Sequence, residues 1–447
     1  MADSRPDAVV VGGGIAGLTA ARDLAAAGLS VLVLEGSPVV GGKLRLATVA
    51  GVEVDVGAEA MLARRPEAVG LAEELAVPLV HPASGSSQLW TRGALRPLPR
   101  TLLGIPLDRT ALAESGVLSD EGLERVAHET VVPLGDEDVS VAELIGSRLG
   151  EEVVDRLVEP LLGGVYAGHA TSLSARATVP SVVSLLREHG SLGAAAAAVP
   201  ASDAPVFAGI EGGIGRLPGL LASELGVRTS APVRDLARTT AGFLLTVGSA
   251  HAPETVECDR VVLAIPAPPA SRLLGDVAPG AARELAAVEY ASLAIVTLAV
   301  PDLDVGDSTG FLVPAVDGRR IKAATYSFSK WAWVGAASDL RLLRVSIGRH
   351  RETAALQATD EELVARAVAD LTLATGQELR PADTHVQRWG GALPQYAVGH
   401  LDRVARVRMA AEAVPGLALC GAAYDGVGIP AVIGSARRAA ASLLAAQ

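Results

Sequence analysis

The spacing of apolar and polar positions divides the chain into strand-like and helix-like stretches, and the clearest unit covers residues 7–35. Val9, Val10 and Val11 form the short β-branched run expected of a buried parallel strand. Residues 18–27 are rich in Ala and Leu and predict a helix that stops near Gly28. Residues 30–34 supply a second strand. Further on, residues 52–60 alternate and end in small residues, which reads as a strand and a turn. Residues 67–75 predict a helix, 88–106 a loop and hairpin, and 108–150 a helical region. Residues 158–180 read as a Gly-rich loop, and the Ala-, Pro- and Ser-rich stretch 191–204 as a linker. A helix at 217–225, strands at 227–233, 236–238 and 243–247, and a buried strand at 258–266 follow. Strands at 293–300 and 342–347 and an amphipathic helix at 361–375 come next. The last unit is a strand and Gly-rich turn over 417–430, then a helix over 431–446.

The first strand and helix are joined by Gly12-Gly13-Gly14-Ile15-Ala16-Gly17, a G-x-G-x-x-G run. The first glycine allows the tight turn, the second lets the backbone approach a pyrophosphate, and the third lets helix and strand pack closely. The phosphates then sit on free N–H groups at the helix N-terminus. Glu35 lies 23 residues after Gly12, near the spacing of an acid that holds ribose hydroxyls, and it is followed by Gly36. An acid there disfavours a 2′-phosphate, so NADP is not expected. Gly41-Gly42-Lys43 follows, glycines for close approach and a cation for phosphate charge. Gly57, Ala58, Glu59 and Ala60 form a small-residue turn beside which a cofactor ring fits. The C-terminal turn, with Val427, Gly428 and Ile429, repeats the strand–glycine–helix logic without its spacing. An NAD dehydrogenase has no need of this second helix tip, which points to FAD.

Composition narrows the class. The chain has 447 residues, half of them apolar, enough for two or three domains and a large core. No apolar run approaches the ~18 residues of a membrane span. No basic stretch with an apolar core precedes the first strand, so no signal peptide is expected. Cys258 and Cys420 are far apart and read as buried thiols in a reducing, cytoplasmic setting; no metal-ligand spacing occurs. A net charge of −12 argues against nucleic acid as a partner. It also means that an anionic substrate needs local cations. Arg64-Arg65 fits a solvated helix start and a carboxylate clamp equally well. His169 stands alone in its loop and reads as a hydrogen-bonded residue rather than a catalyst.

Four stretches then carry a resemblance: GGVYAG with LSARAT within 159–180, KAATYSFSKW over 322–331 and Trp333 beyond it, WGGALPQYAVGH over 389–400, and GAAYDGVGIP over 421–430. In that order, with the N-terminal glycines, they are similar nearly end to end to the FAD-dependent protoporphyrinogen/coproporphyrinogen oxidase family among the amine-oxidase-like flavoproteins. The resemblance implies an α/β fold: a Rossmann-type FAD-binding domain (1–80, 206–275 and 386–447), a mixed-sheet substrate-binding domain (81–105, 170–205 and 276–385) and a helical insert (106–169). It implies six-electron oxidation of a porphyrinogen in three flavin cycles, O2 reoxidising the flavin to give H2O2. Bacterial members resembling this chain act typically on coproporphyrinogen III, and relatives on protoporphyrinogen IX. A ferrochelatase handover and weak membrane association are compatible with it, and oligomeric state is left open.

By motif, Gly12 to Gly17 would hold the pyrophosphate, Glu35-Gly36 the adenosine ribose, and Gly42-Lys43 the phosphate side. Gly57 to Ala60, Trp389 and Val427-Gly428-Ile429 would flank the flavin, and Val233 the adenine. Arg65, Lys322 and Lys330 are the candidate cations for substrate carboxylates. No nucleophile or general base is nominated, since the flavin carries the chemistry. Two other readings stay open. One is a different flavin enzyme, an amine oxidase or carotenoid desaturase; the other is a porphyrin carrier that uses FAD structurally.

Overall fold

The computed structural model describes residues 5–83, 85–200, 202 and 204–445. The expected first unit forms a parallel sheet. Its five strands lie in the order Gly226–Arg228, Val31–Leu34, Ala8–Val11, Arg260–Leu263 and Leu417–Leu419. Alternate residues of the central strand serve two cores. Ala8 and Val10 pack with the helices Ile15–Ala26, Pro66–Glu74, Leu217–Ala222 and Ile429–Ala445. Val9 and Val11 pack toward the antiparallel strands Val233–Thr239, Gly242–Ser249 and Ala252–Cys258, and toward the helices Ala267–Leu273, Pro279–Ala286 and His400–Glu412. A strand buried on both faces explains the unbroken valine run.

A seven-stranded mixed sheet forms the second layer, in the order Asp383–Pro394, Tyr290–Val300, Arg341–Ile347, Ile321–Thr325, Ser308–Leu312, Ser86–Thr91 and Ala94–Pro97. Only Ser308–Leu312 and Ser86–Thr91 pair in parallel. Helix Asp360–Thr375 covers one face with Leu363, Ala367 and Leu371; Thr359 and Glu362 form a capping box at its start. The opposite face meets the hairpin Leu46–Val49 and Val52–Asp55 through Ala299 and Leu342, and the helical third unit through Leu89 and Leu312.

That third unit shares one apolar cluster from Ile105 to Ala196, which Tyr396 joins. Two expectations are corrected here. The presumed loop at 158–180 holds the helices Glu159–Tyr166 and Ala175–Thr178, because Leu162, Tyr166 and Ala175 bury against this cluster and Pro160 sits at a helix start. Packing overrides the low propensity of Gly163 and Gly164. The presumed linker at 191–204 contains helix Leu192–Ala198, capped by Ser191 and anchored by Leu192 and Ala195. Glu129 also accepts hydrogen bonds from the Leu192 and Gly193 N–H groups. By packing, the helical unit therefore continues beyond residue 169. Ala201 and Asp203 of that stretch, and Ala446 of the last helix, lie outside the described residues. Among the described residues no helix is long and apolar enough to cross a membrane, and no group of side chains could hold a metal ion. Both cysteines are buried and unpaired.

Candidate active site

The strand Ala8–Val11 delivers Gly12 at φ +107°, a conformation that excludes side chains, and an added Cβ would lie 2.7 Å from the Ala264 carbonyl oxygen. A Cβ on Gly17 would lie 1.9 Å from the Gly12 carbonyl oxygen. Helix and strand therefore touch backbone to backbone. Gly14 is different: it opens the helix Ile15–Ala26 with no side-chain cap, and nothing lies within 4 Å of where its Cβ would be. The helix tip thus offers unclaimed N–H groups to open space, the arrangement an anionic pyrophosphate needs.

Glu35 ends the second strand beside this tip. Its carboxylate accepts from the Gly13 N–H at 2.7 Å and from the Ser37 N–H and hydroxyl, each at 2.7 Å. About one lone-pair position is left for a ribose hydroxyl. Residues 230–233 run alongside: the Ala231 N–H donates to the Glu35 carbonyl, and Pro232 approaches Gly36. Val233 starts its strand here. Gly41 donates to the Gly13 carbonyl at 2.8 Å, and Gly42 packs against Gly14. The second glycine pair thus lies directly on the first. Lys43 has no carboxylate partner among the described residues, and burial pushes its ammonium down to about 8.

The strand Val52–Asp55 brings in the next loop. Asp55 is buried and accepts from the Ile214 and Gly215 N–H groups at 3.0 and 2.8 Å. Burial raises it to about 7, against the pull of those N–H groups and Arg344. A Cβ on Gly57 would lie 1.9 Å from the Lys43 carbonyl oxygen and 3.3 Å from the Trp389 ring. Trp389 donates from Nε1 to the Val56 carbonyl at 3.0 Å. Glu59 is nearly buried and takes ion pairs from Lys330 and, at 3.2 Å, from Arg344. Burial works to raise its pKa, but the two cations outweigh that and hold it below the usual range. Arg344 also donates to the Asp55 and Gly57 carbonyls.

The C-terminal turn closes the arrangement. Helix Ile429–Ala445 packs against helix Ile15–Ala26, so the two tips are neighbours; Ile15 and Ile429 share one core. Gly421 has nothing near its Cβ position, and Gly428 is exposed. The Tyr396 hydroxyl donates to the Ala422 carbonyl and accepts from the Gly426 N–H, each at 2.7 Å. It thereby pins the turn that presents Val427 and Gly428.

Comparison with known proteins places this geometry. The family described as flavin containing amine oxidoreductases matches residues 15–444. The chain belongs to that family. It is 38% identical to a Mycobacterium leprae protein named coproporphyrinogen III oxidase, over 98% of both chains. It is 28% identical to the chloroplastic protoporphyrinogen oxidase 1 of Arabidopsis thaliana, over 95% of this chain and 85% of that one. A crystal structure from Exiguobacterium, assigned provisionally as a protoporphyrinogen oxidase, superposes over both full chains with a TM-score of 0.88 at 31% identity. The protein is an oxidoreductase and its cofactor is FAD.

The residues present fit that flavin. The open Gly14 position and uncapped helix tip suit its pyrophosphate, and the open Gly421 and exposed Gly428 leave room at the second tip. Trp389 and Gly57, far apart in sequence, are in contact. The three candidate cations are not brought together. Lys330 pairs with Glu59, a carboxylate that Arg344 also holds. Arg65, half-exposed, pairs with Glu67 at 2.6 Å. Lys322 is buried in its strand and donates to the Gly163 carbonyl at 3.3 Å, its only acceptor among the described residues. Sequence reasoning missed Arg344, Tyr396 and the capping role of Asp55. Arg344 had a signal, a lone cation in the apolar run LLRVSI, but nothing local said what it faces. His169 pairs with Glu159 at 2.9 Å, and that hydrogen bond raises its pKa.

Two outcomes follow from these contacts. Gly14→Ala leaves the apoprotein's Tm near the parent value but weakens FAD binding at least tenfold, about 1.4 kcal/mol. Gly17→Ala, in which Cβ meets a carbonyl oxygen, fails to fold stably. A fluorescence titration with FAD and a melting curve on each variant check this. Separately, the His169–Glu159 pair is fully formed below the ordinary histidine value of about 6.5 and is lost as pH rises through the raised folded value. Stability therefore declines upward from about pH 6.5, and His169→Gln removes that part of the pH dependence of Tm.

Proposed function

We propose that the protein oxidises coproporphyrinogen III to coproporphyrin III. Six electrons and six protons leave the macrocycle and reduce three O2 to three H2O2. The observation that carries this reading is the 38% identity, over 98% of both chains, to a relative named for that activity. Bound FAD supplies the two-electron acceptor.

The chain's own residues bind, orient and exclude water. Gly12, Gly13, Gly14, Ile15, Ala16 and Gly17 hold the pyrophosphate, and Glu35-Gly36 the ribose. Gly42-Lys43 lie against the phosphate side, and residue 233 against the adenine. Gly57, Ala58, Glu59, Ala60, Trp389, Val427, Gly428 and Ile429 frame the ring. Arg344 and Lys330 neutralise Glu59, so the loop beside the ring carries no unpaired anion. Arg65 reaches a substrate carboxylate when its pair with Glu67 opens. The buried thiols fit a reducing compartment, the cytoplasm, and the metal-free product is what a ferrochelatase takes. Protoporphyrinogen IX is the second reading, favoured by the name of the Arabidopsis relative.

The test is anaerobic mixing of the holoenzyme with each porphyrinogen and with a primary amine, following the flavin colour. Coproporphyrinogen III is expected to bleach the flavin, and in air to yield fluorescent porphyrin. Bleaching by the amine and by neither porphyrinogen overturns the reading. Arg65→Ala raises the KM for coproporphyrinogen severalfold with FAD content unchanged; an unaltered KM removes Arg65 from the site.

A further inference from the structure

The stretch 389–400 does more than deliver Trp389. Just past the strand Asp383–Pro394, Tyr396 is 1% exposed, and its ring stacks on His400 with centroids 3.8 Å apart. The Tyr396 carbonyl accepts from the Ser174 N–H at 2.7 Å, which ties it to the helical unit. Its hydroxyl spends its donor and one acceptor on the C-terminal turn, at the Ala422 carbonyl and the Gly426 N–H. Helix His400–Glu412 starts at the stacked histidine and reaches the same turn again about two helical turns further along, where Arg408 pairs with Asp425. Arg438, from helix Ile429–Ala445, holds the other carboxylate oxygen at 2.6 Å. Gly426 and Asp425 are the two residues before Val427, so both anchors sit beside the segment that the flavin site uses.

Asp425 is the one charged residue of 421–430. Its side chain is 20% exposed. Burial works to raise its pKa, but Arg408 and Arg438 outweigh that and hold it below the usual range, so it is ionised at neutral pH. Both arginines are half-exposed. Ion pairs of this kind are a poor source of stability, since the carboxylate loses water and its partners keep theirs. They are a good source of fixed geometry. The turn needs it: Gly426 has φ +138°, a conformation that side chains avoid.

We propose that Tyr396 and Asp425 are positioning residues for the flavin, fixing the turn that presents Val427 and Gly428, and that the Asp425–Arg408–Arg438 cluster tunes how readily the bound flavin is reduced. This rests on the reading that residues 427–429 frame the ring. Reduction brings electrons into the ring, so a nearby carboxylate opposes it and a nearby guanidinium favours it. Removing Asp425 or Arg408 loosens the same turn but changes the cluster's charge in opposite directions. A purely structural role has no such sign.

The experiment measures the flavin midpoint potential, the rate of FAD release and the melting curve of the holoenzyme in the parent and five variants: Asp425→Asn, Arg408→Met, Arg408→Lys, Tyr396→Phe and Gly428→Val. Asp425→Asn is expected to raise the potential and Arg408→Met to lower it. Each shift corresponds to at least a tenfold change in the ratio of affinities for reduced and oxidised FAD, about 30 mV for two electrons. Arg408→Lys keeps the charge and is expected to stay near the parent potential. Tyr396→Phe keeps the ring stack, loses both hydrogen bonds and is expected to release FAD at least fivefold faster. Shifts of one sign in Asp425→Asn and Arg408→Met, or no shift, overturn the proposal. So does a lowered Tm with FAD release unchanged in Tyr396→Phe. Gly428→Val is expected to speed FAD release at least tenfold. Unchanged release there overturns the placement of the turn against the flavin, which separates that failure from failure of the anchors.

Discussion

Among the described residues, the two tightest approaches of a backbone carbonyl to a glycine both fall in this N-terminal glycine cluster. Gly17 lies on the Gly12 carbonyl, and Gly57 lies on the Lys43 carbonyl, each leaving 1.9 Å for a Cβ that is not there. The first contact seats a helix tip at the end of the central strand. The second seats the loop 57–60 on the segment that follows the second glycine pair. Together they stack three separate stretches of chain into one surface, and the C-terminal helix tip joins it through the core shared by Ile15 and Ile429. This surface is built from backbone, and close approach of backbone requires glycine.

Charge is arranged by the same economy of space. Asp55 is committed to the start of the helical turn at Ile214, so it holds architecture rather than ligand. Glu59 has two cations on it, and Arg344 ties that carboxylate to the Gly57 carbonyl of the same loop.

Much of the nucleotide-binding unit was legible in the chain. The valine run, the glycine spacing and Glu35 each act through local geometry, and local geometry is what sequence patterns report. The helical unit was less legible. Residues 158–180 and 191–204 look like loop and linker because Gly, Ala, Ser and Pro carry little helical or apolar periodicity. They become helical because Leu162, Tyr166, Leu192 and Ala195 find a common core, which is a long-range fact.

By itself the amino-acid sequence determined a glycine-lined helix tip at the end of the first strand, since those contacts lie within a few residues of one another. Only the tertiary structure decided which cations remain available. Arg65, Lys322 and Lys330 all read as cations in the sequence, yet one pairs with Glu67, one with Glu59, and one is buried with no carboxylate partner among the described residues. The physical reason is that a charge is defined by its neighbours, and Lys330 meets its partner across 271 residues of chain.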